Sequence, residues 1–61
     1  MLVLTRKTSE SIVITLPDGT HIHVLVQEVR GDKVRLAFQA GKDVVIHRLE
    51  VFNAIENEKT P

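Results

Sequence analysis

The chain has 61 residues and a formal net charge of zero, because eight basic residues balance eight acidic ones. This length allows one domain at most, the lack of cysteine excludes disulfides and thiolate metal sites, and no apolar run could span a bilayer. A neutral protein can bind nucleic acid only through cations gathered on one surface. The first residues lack the pattern of a signal peptide, so we expect a cytoplasmic protein with no membrane partner.

The short chain also limits the core. The area scaling laws predict that it buries roughly 6,000 Å² on folding, and if about 60% of that is apolar the gain is about 90 kcal/mol. Ordering the chain costs about 90 kcal/mol as well. Small domains usually overcome this balance with disulfides, a metal or association. Association is the best supported of these here, so we expect a homodimer.

Alternating apolar residues predict strands at residues 1–7 and 11–16. A turn follows at residues 17–19, where proline fixes φ and glycine permits a positive φ. The next predicted strand, residues 20–30, is the longest, and its period of two shifts by one residue near its end. Such a shift is what a β-bulge produces, so a bulge is predicted at residues 27–28.

The second half of the chain continues with a tight turn at residues 31–32 and a regularly alternating strand at residues 34–39. A β-branched run predicts a last strand at residues 44–48. Apolar residues then recur three and four positions apart, which predicts a short amphipathic helix over residues 49–58. Residues 59–61 form the predicted tail.

The predicted fold is therefore mainly β and forms a single domain over residues 1–61. Five strands lie within residues 1–48, and one C-terminal helix follows them. Because the turns between strands are short, the sheet should be mainly antiparallel.

No group in the sequence stands out as catalytic. Ser9 and Ser11 flank Glu10 without the features of an activated nucleophile, and the glycines form no phosphate-binding loop. His21 and His23 lie on one face of a predicted strand, but no third metal ligand accompanies them, and solvent-facing strand histidines are common. We expect no enzyme activity, no metal and no cofactor.

The basic residues suggest a different chemistry. Arg6 and Lys7 end one predicted strand, and Arg48 ends another. The ordinary interpretation is surface charge that keeps a sheet soluble and protects its edges. If the two strands are neighbours, however, the three cations form a cluster able to hold phosphate or a guanine edge. Phe38 and Phe52 fall on predicted core faces, so RNA would be read by strand backbone groups and arginine rather than by stacking.

The opening heptapeptide MLVLTRK and the segment VVIHRLEV at residues 44–51 together resemble the carbon storage regulator (CsrA/RsmA) family of small bacterial post-transcriptional regulators. The resemblance covers nearly the whole chain and continues at Glu10, Gly31, Val34, Arg35 and Ala40. It implies an interleaved, strand-exchanged homodimer of five-stranded protomers. In that dimer the first strand of one chain lies beside the last strand of the other.

The resemblance further implies an mRNA-binding translational regulator. Family members bind GGA motifs, preferably in hairpin loops and often over a ribosome-binding site, and they repress translation or alter mRNA stability. Small RNAs with repeated GGA motifs titrate them, and a protein antagonist is a further candidate partner. Carried over by position, the RNA-binding residues are Leu4, Thr5, Arg6, Lys7, Ala40, Lys42, Val44, Ile46, His47 and Arg48.

Five features depart from the family pattern: Ser9 in place of glycine, Glu28 in place of the bulge glycine, Gly41 in place of proline, Leu49 in place of glutamate, and a longer hairpin at residues 16–19. They bear on RNA affinity and preference. The alternative hypothesis is a protein-interaction module that offers a strand edge or its acidic helix to another protein. RNA binding should weaken steeply as salt rises, whereas strand addition should not.

Overall fold

The computed structural model describes residues 1–59, so the last two residues of the predicted tail lie outside it. Three strands, β1 (Ser11–Thr15), β2 (His21–Arg30) and β3 (Lys33–Gln39), form one antiparallel sheet in the order β1-β2-β3. One helix, α1 (Leu49–Lys59), follows and extends one residue beyond its predicted end. The mainly β fold with a C-terminal helix is confirmed.

The sheet has one apolar and one polar face, because side chains alternate along each strand and residues opposite each other in register share a face. On the apolar face, Ile12 lies opposite Val24, and Val24 lies opposite Phe38. That apolar face comprises Ile12, Ile14, Ile22, Val24, Val26, Val29, Val34, Leu36 and Phe38. The polar face comprises Ser11, Val13, Thr15, His21, His23, Leu25, Glu28, Arg30, Lys33, Arg35, Ala37 and Gln39.

The predicted bulge is confirmed. The register of β2 against β3 shifts between Val26 and Glu28, so Gln27 is the additional residue. An extra residue reverses the alternation beyond it. As a result Glu28 lies on the polar face opposite Arg35, and Val29 returns to the apolar face opposite Val34.

The turn between β1 and β2 closes as predicted. The Leu16 N–H donates to the Thr20 carbonyl at 2.8 Å, the Gly19 N–H donates to the Leu16 carbonyl at 2.9 Å, and Gly19 has a φ of 91°. The Asp18 carboxylate accepts the Thr20 N–H at 2.9 Å. That hydrogen bond favours the ionised form and lowers the pKa of Asp18.

The remaining predicted strands, residues 1–7 and 44–48, form no ladder with any other part of the described chain. The first of these segments is nevertheless fixed at its end, where the Ser9 N–H donates to the Val26 carbonyl at 2.8 Å and the Val26 N–H donates to the Glu10 carbonyl at 3.0 Å. A strand exists only beside a partner strand, and the described chain offers neither segment one. The five-stranded protomer therefore stays a prediction for an assembled form.

The apolar face is open in the single chain. Among the side chains that the structure describes, only Val24 is buried, and Leu36 and Phe38 remain 48% and 47% exposed. The backbone of α1 approaches none of the three strands closely. An apolar groove of about 720 Å³ separates the helix from the sheet, lined by Ile14, Phe38, Val45, Ile46, His47, Leu49, Phe52, Ile55 and Glu56.

Candidate nucleic-acid interface

The first segment, residues 1–7, brings two of its predicted RNA-binding side chains to the apolar face. Leu4 and Arg6 border a hollow of about 380 Å³ whose walls include Val34 and Leu36 of β3. Leu4 is 59% exposed, and Thr5 and Lys7 are exposed as well. The segment therefore offers its predicted contacts to solvent in the single chain.

The Arg6 side chain is held by two neighbours. Its Nε–H donates to the Thr5 carbonyl at 2.9 Å, and its Nη2 lies 3.7 Å from the Glu10 Oε1. The same Glu10 oxygen accepts the Lys7 N–H at 2.6 Å. Because both side chains of the ion pair are about two-fifths exposed, the pair is worth at most about 1 kcal/mol and an incoming phosphate could displace it.

The last segment, residues 44–48, reaches the same part of the sheet. Ile46, His47 and Arg48 border a hollow of about 570 Å³ whose walls again include Val34 and Leu36. The two segments that carry the predicted cations thus border neighbouring hollows with two walls in common. Arg6 and Arg48 of one chain therefore each border a hollow that Val34 and Leu36 help to line.

Arg48 occupies an unusual position at the start of α1. Its carbonyl accepts the Phe52 N–H at 3.0 Å, which makes Arg48 the N-cap residue of the helix. A short polar side chain at the N-cap stabilises a helix by about 1 kcal/mol. A cation there is disfavoured, because it lies at the positive end of the helix dipole. The arginine is 79% exposed, so neither packing nor helix capping explains its presence there.

The loop before the last segment carries the remaining predicted residues. Ala40 and Lys42 are exposed, and Val44 is half-buried. The Val44 N–H donates to the Gly41 carbonyl at 3.1 Å, which closes a turn between them. This turn sets where the last segment begins.

Two acidic neighbours of the predicted arginines were not predicted as such. Glu10 pairs with Arg6, and the Glu50 Oε1 lies 3.3 Å from the Arg48 Nε. The spacing of four residues between Arg6 and Glu10 could have predicted the first pair. The second pair arises because α1 begins between its members and brings Glu50 back toward Arg48.

Three further observations concern the histidines, metal binding and the helix. The His21 Nδ1 lies 3.0 Å from the Thr15 Oγ1 across β1 and β2. Within residues 1–59, no three His, Cys, Asp or Glu side chains are placed to hold a metal ion. No helix in that range is both long and apolar enough to cross a membrane.

Comparison with known protein families identifies the family of this chain. The family model described as CsrA, global regulator protein family, matches residues 1–57. The chain belongs to the CsrA family.

Curated CsrA relatives cover nearly all of the chain. The protein named translational regulator CsrA from Rhodopirellula baltica is 52% identical over 92% of this chain and 74% of its own length. Proteins of the same name from Brachyspira hyodysenteriae and Leptospira biflexa are 43% and 38% identical over 95% of this chain, and over 66% and 68% of their own lengths. No solved structure matches significantly.

The structure shows the local environment of three residues that depart from the CsrA pattern. Ser9 has a φ of 73°, a left-handed conformation that glycine adopts without cost and serine does not. A Cβ at Gly41 would lie 2.9 Å from the Asp43 Oδ1, so a side chain there requires the exposed Asp43 carboxylate to move. Leu49 is 70% exposed at the first position of α1, where it lines the apolar groove.

Proposed function

We propose that this chain is an RNA-binding translational regulator that acts as a homodimer and recognises GGA motifs in hairpin loops or near ribosome-binding sites. The observation that carries the proposal is the solvent exposure of Arg6 and Arg48, which lie on two segments that lack ladder partners and border neighbouring hollows beside β3. The relatives named as translational regulators support the same class of function.

The exposed surface supports a second copy as the cover of the apolar face. A compact monomer of this mass exposes about 4,000 Å², whereas this chain exposes 5763 Å². The difference exceeds the roughly 800 Å² per partner of a standard interface. We propose that residues 1–7 of one copy pair with residues 44–48 of the other, which gives each protomer five strands.

This pairing would place Arg6 of one copy beside Arg48 of its partner and create two equivalent sites. A guanidinium can make two parallel hydrogen bonds to guanine O6 and N7 or to a phosphate. Stacking contributes little, because Phe38 lies on the apolar face and Phe52 lines the apolar groove. The free edge of the paired segments would supply fixed N–H and C=O groups to the bases.

Each proposed role follows from position. Arg6, Lys7, Lys42 and Arg48 would neutralise phosphate or bind guanine. Leu4, Val44 and Ile46 would contribute aliphatic contact, and Thr5, Ala40 and His47 would complete the surface around the bound loop. The proposed RNA partners are mRNA leaders and small regulatory RNAs with repeated GGA motifs. Occupancy of a leader would exclude the ribosome and repress translation or alter mRNA stability, which places the protein in the cytoplasm.

The test is a binding titration with a short-stemmed RNA hairpin that carries GGA in its loop, beside a hairpin with the GGA changed, at low and high salt. We expect saturation at one hairpin per protomer, a preference for GGA, and weaker binding at high salt. Arg48→Ala should weaken binding to the GGA hairpin by about 1–3 kcal/mol. Arg30→Ala, the matched change on the polar face, should leave the affinity for this short hairpin unchanged.

Equal affinity for the two hairpins would contradict GGA recognition. An Arg48→Ala variant that is folded and binds like the wild type would show that the site lies elsewhere.

The second candidate is a protein-interaction module, favoured by the apolar groove between α1 and the sheet. The groove is lined mainly by aliphatic and aromatic side chains, with Glu56 among them, so it suits an apolar segment of a partner, which could be a protein antagonist. Binding of a protein through this groove should depend little on salt. If the chain binds a protein partner with an affinity that does not depend on salt, and binds no RNA, this candidate is favoured.

A further inference from the structure

A second cluster of cations lies on the polar face, away from the proposed GGA site. Arg30, Lys33 and Arg35 line a hollow of about 260 Å³ at the end of the β2–β3 hairpin, together with Glu28. Arg30 and Lys33 lie directly opposite each other in register. Like charges at such positions destabilise a sheet, so the stability of the hairpin does not explain the cluster.

Glu28 is shared between two of these cations. Its Oε1 lies 3.4 Å from the Arg30 Nε, and its Oε2 lies 3.5 Å from the Arg35 Nη1. The two arginines remain 87% and 72% exposed. A guanidinium has five N–H donors, so each arginine keeps donors that face solvent while the carboxylate offsets part of its charge.

The cluster lies on the other side of the strand that borders the Arg48 hollow. Lys33 and Arg35 lie on the polar face of β3, whereas Val34 and Leu36 of the same strand border the hollow beside Arg48. β3 is an edge strand of the sheet in this chain. Arg35 is adjacent in sequence to both Val34 and Leu36, so the cluster and the Arg48 hollow are separated only by the thickness of β3.

We propose that Arg30, Lys33 and Arg35 form a second phosphate-binding surface for the stem that flanks a bound RNA loop, and that Glu28 weakens this surface. The proposal rests on the proposed RNA-binding function. Counting Asp32 in the turn, residues 28–35 carry three cations and two acids. Neutralising Glu28 doubles the net charge of the hairpin from +1 to +2 and releases both arginines for phosphate.

The experiment compares Glu28→Gln with Glu58→Gln, a matched loss of one negative charge on the exposed end of α1. Each variant is titrated with a GGA hairpin on a short stem and with the same loop on a long stem. Glu28→Gln should bind the long-stem hairpin about two- to fivefold more tightly, which is the range of an exposed ion pair. For the long-stem hairpin, the slope of log affinity against log salt should also steepen by about one, which corresponds to one added phosphate contact. For the short-stem hairpin this slope should not change.

Arg35→Gln supplies an independent readout. It should weaken binding of the long-stem hairpin by the wild type and abolish the gain of Glu28→Gln, while the short-stem affinity stays the same. An equal gain from Glu58→Gln, or an equal gain on both hairpins, would overturn the proposal, because bulk charge would then account for it.

The experiment distinguishes failure of the second phosphate-binding surface from failure of the proposed RNA-binding function. Wild-type binding of the GGA hairpin without any stem-dependent effect of Glu28→Gln or Arg35→Gln overturns only the second surface. Absence of wild-type binding to either hairpin overturns the proposed function, and the second surface is rejected with it.

Discussion

Residues 11–39 and residues 44–48 carry the same strand-like alternation but reach different states. The first range closes into the three-stranded sheet through two short turns. The second range lies against the apolar face near β3 without a ladder partner in the described chain. Residues 1–7 behave like the second range. The comparison shows that alternation alone does not make a strand, because a strand also needs an open edge to pair with.

The largest expected effect tests whether a second copy covers the open face. Leu36 is 48% exposed in the single chain, so Leu36→Asp would cost little if the chain stayed alone. A covered Leu36 would instead leave a buried, unpaired charge, which costs about 3–5 kcal/mol. We expect the larger loss, measured by denaturant unfolding and sedimentation at several protein concentrations.

Gln39→Asp on the polar face of the same strand is the control, and it should change stability by about 0.5 kcal/mol or less. A Leu36→Asp variant as stable as this control would show that the apolar face stays open in solution.

The next effect tests the pairing of residues 44–48 directly. Val45→Pro and Ile46→Pro each remove one N–H, and successive N–H groups of a strand point to opposite edges. At least one substitution should destabilise the dimer by about 1–3 kcal/mol, as expected when a ladder hydrogen bond is lost and its partner carbonyl is left unpaired. If both variants unfold like the wild type, the segment is unpaired in solution as well, and the interleaved dimer is excluded.

A smaller effect compares two serines on either side of Glu10. Ser9 adopts a φ of 73° whereas Ser11 begins β1. Ser9→Gly should therefore raise the free energy of unfolding by about 1 kcal/mol, because glycine relieves the left-handed strain. Ser11→Gly should lower it by roughly 0.5–1 kcal/mol, because glycine weakens a strand. Thermal or denaturant unfolding measures the sign of each stability change. A loss of stability in Ser9→Gly would show that the backbone of Ser9 is not strained.

The smallest expected effect concerns the β1–β2 turn and pH. The Thr20 N–H lowers the pKa of Asp18 in the folded chain, so the folded state prefers the ionised carboxyl. This stabilisation is present above the ordinary Asp pKa of about 3.9 and is lost as the pH falls through the lower folded value. Melting temperatures should fall less steeply with acid in Asp18→Asn than in the wild type. Parallel curves would show that the hydrogen bond is absent in solution.

Much of the fold was predictable because its determinants are local. The Pro17-Asp18-Gly19 turn, the shift of apolar period at Gln27 and the spacing of apolar residues in α1 each depend on a few adjacent residues. Pairing of residues 1–7 and 44–48 was not predictable from such signals, because it depends on an edge that the described chain does not offer.

The candidate site could be predicted in its residues more than in its geometry, and the role of those residues in RNA binding stays a prediction. Arg6 and Arg48 stood out by their places at the ends of strand-like runs and by the family resemblance. The carboxylates beside them were harder to predict, because Glu50 reaches Arg48 only once α1 begins there. Glu28 was identified as a departure from the family, but its two arginine contacts depend on the bulge that turns it to the polar face.

The open apolar face also implies that the sheet of a single chain folds before two chains associate. Sheet contacts in the single chain join residues close in sequence, and such contacts form rapidly because little loop entropy is lost. Completion of five strands by a second copy would be bimolecular, so its rate would rise with the concentration of chains. In the proposed dimer, a newly made chain would acquire its sheet before its RNA site, and slow synthesis of the protein would lengthen the interval between the two.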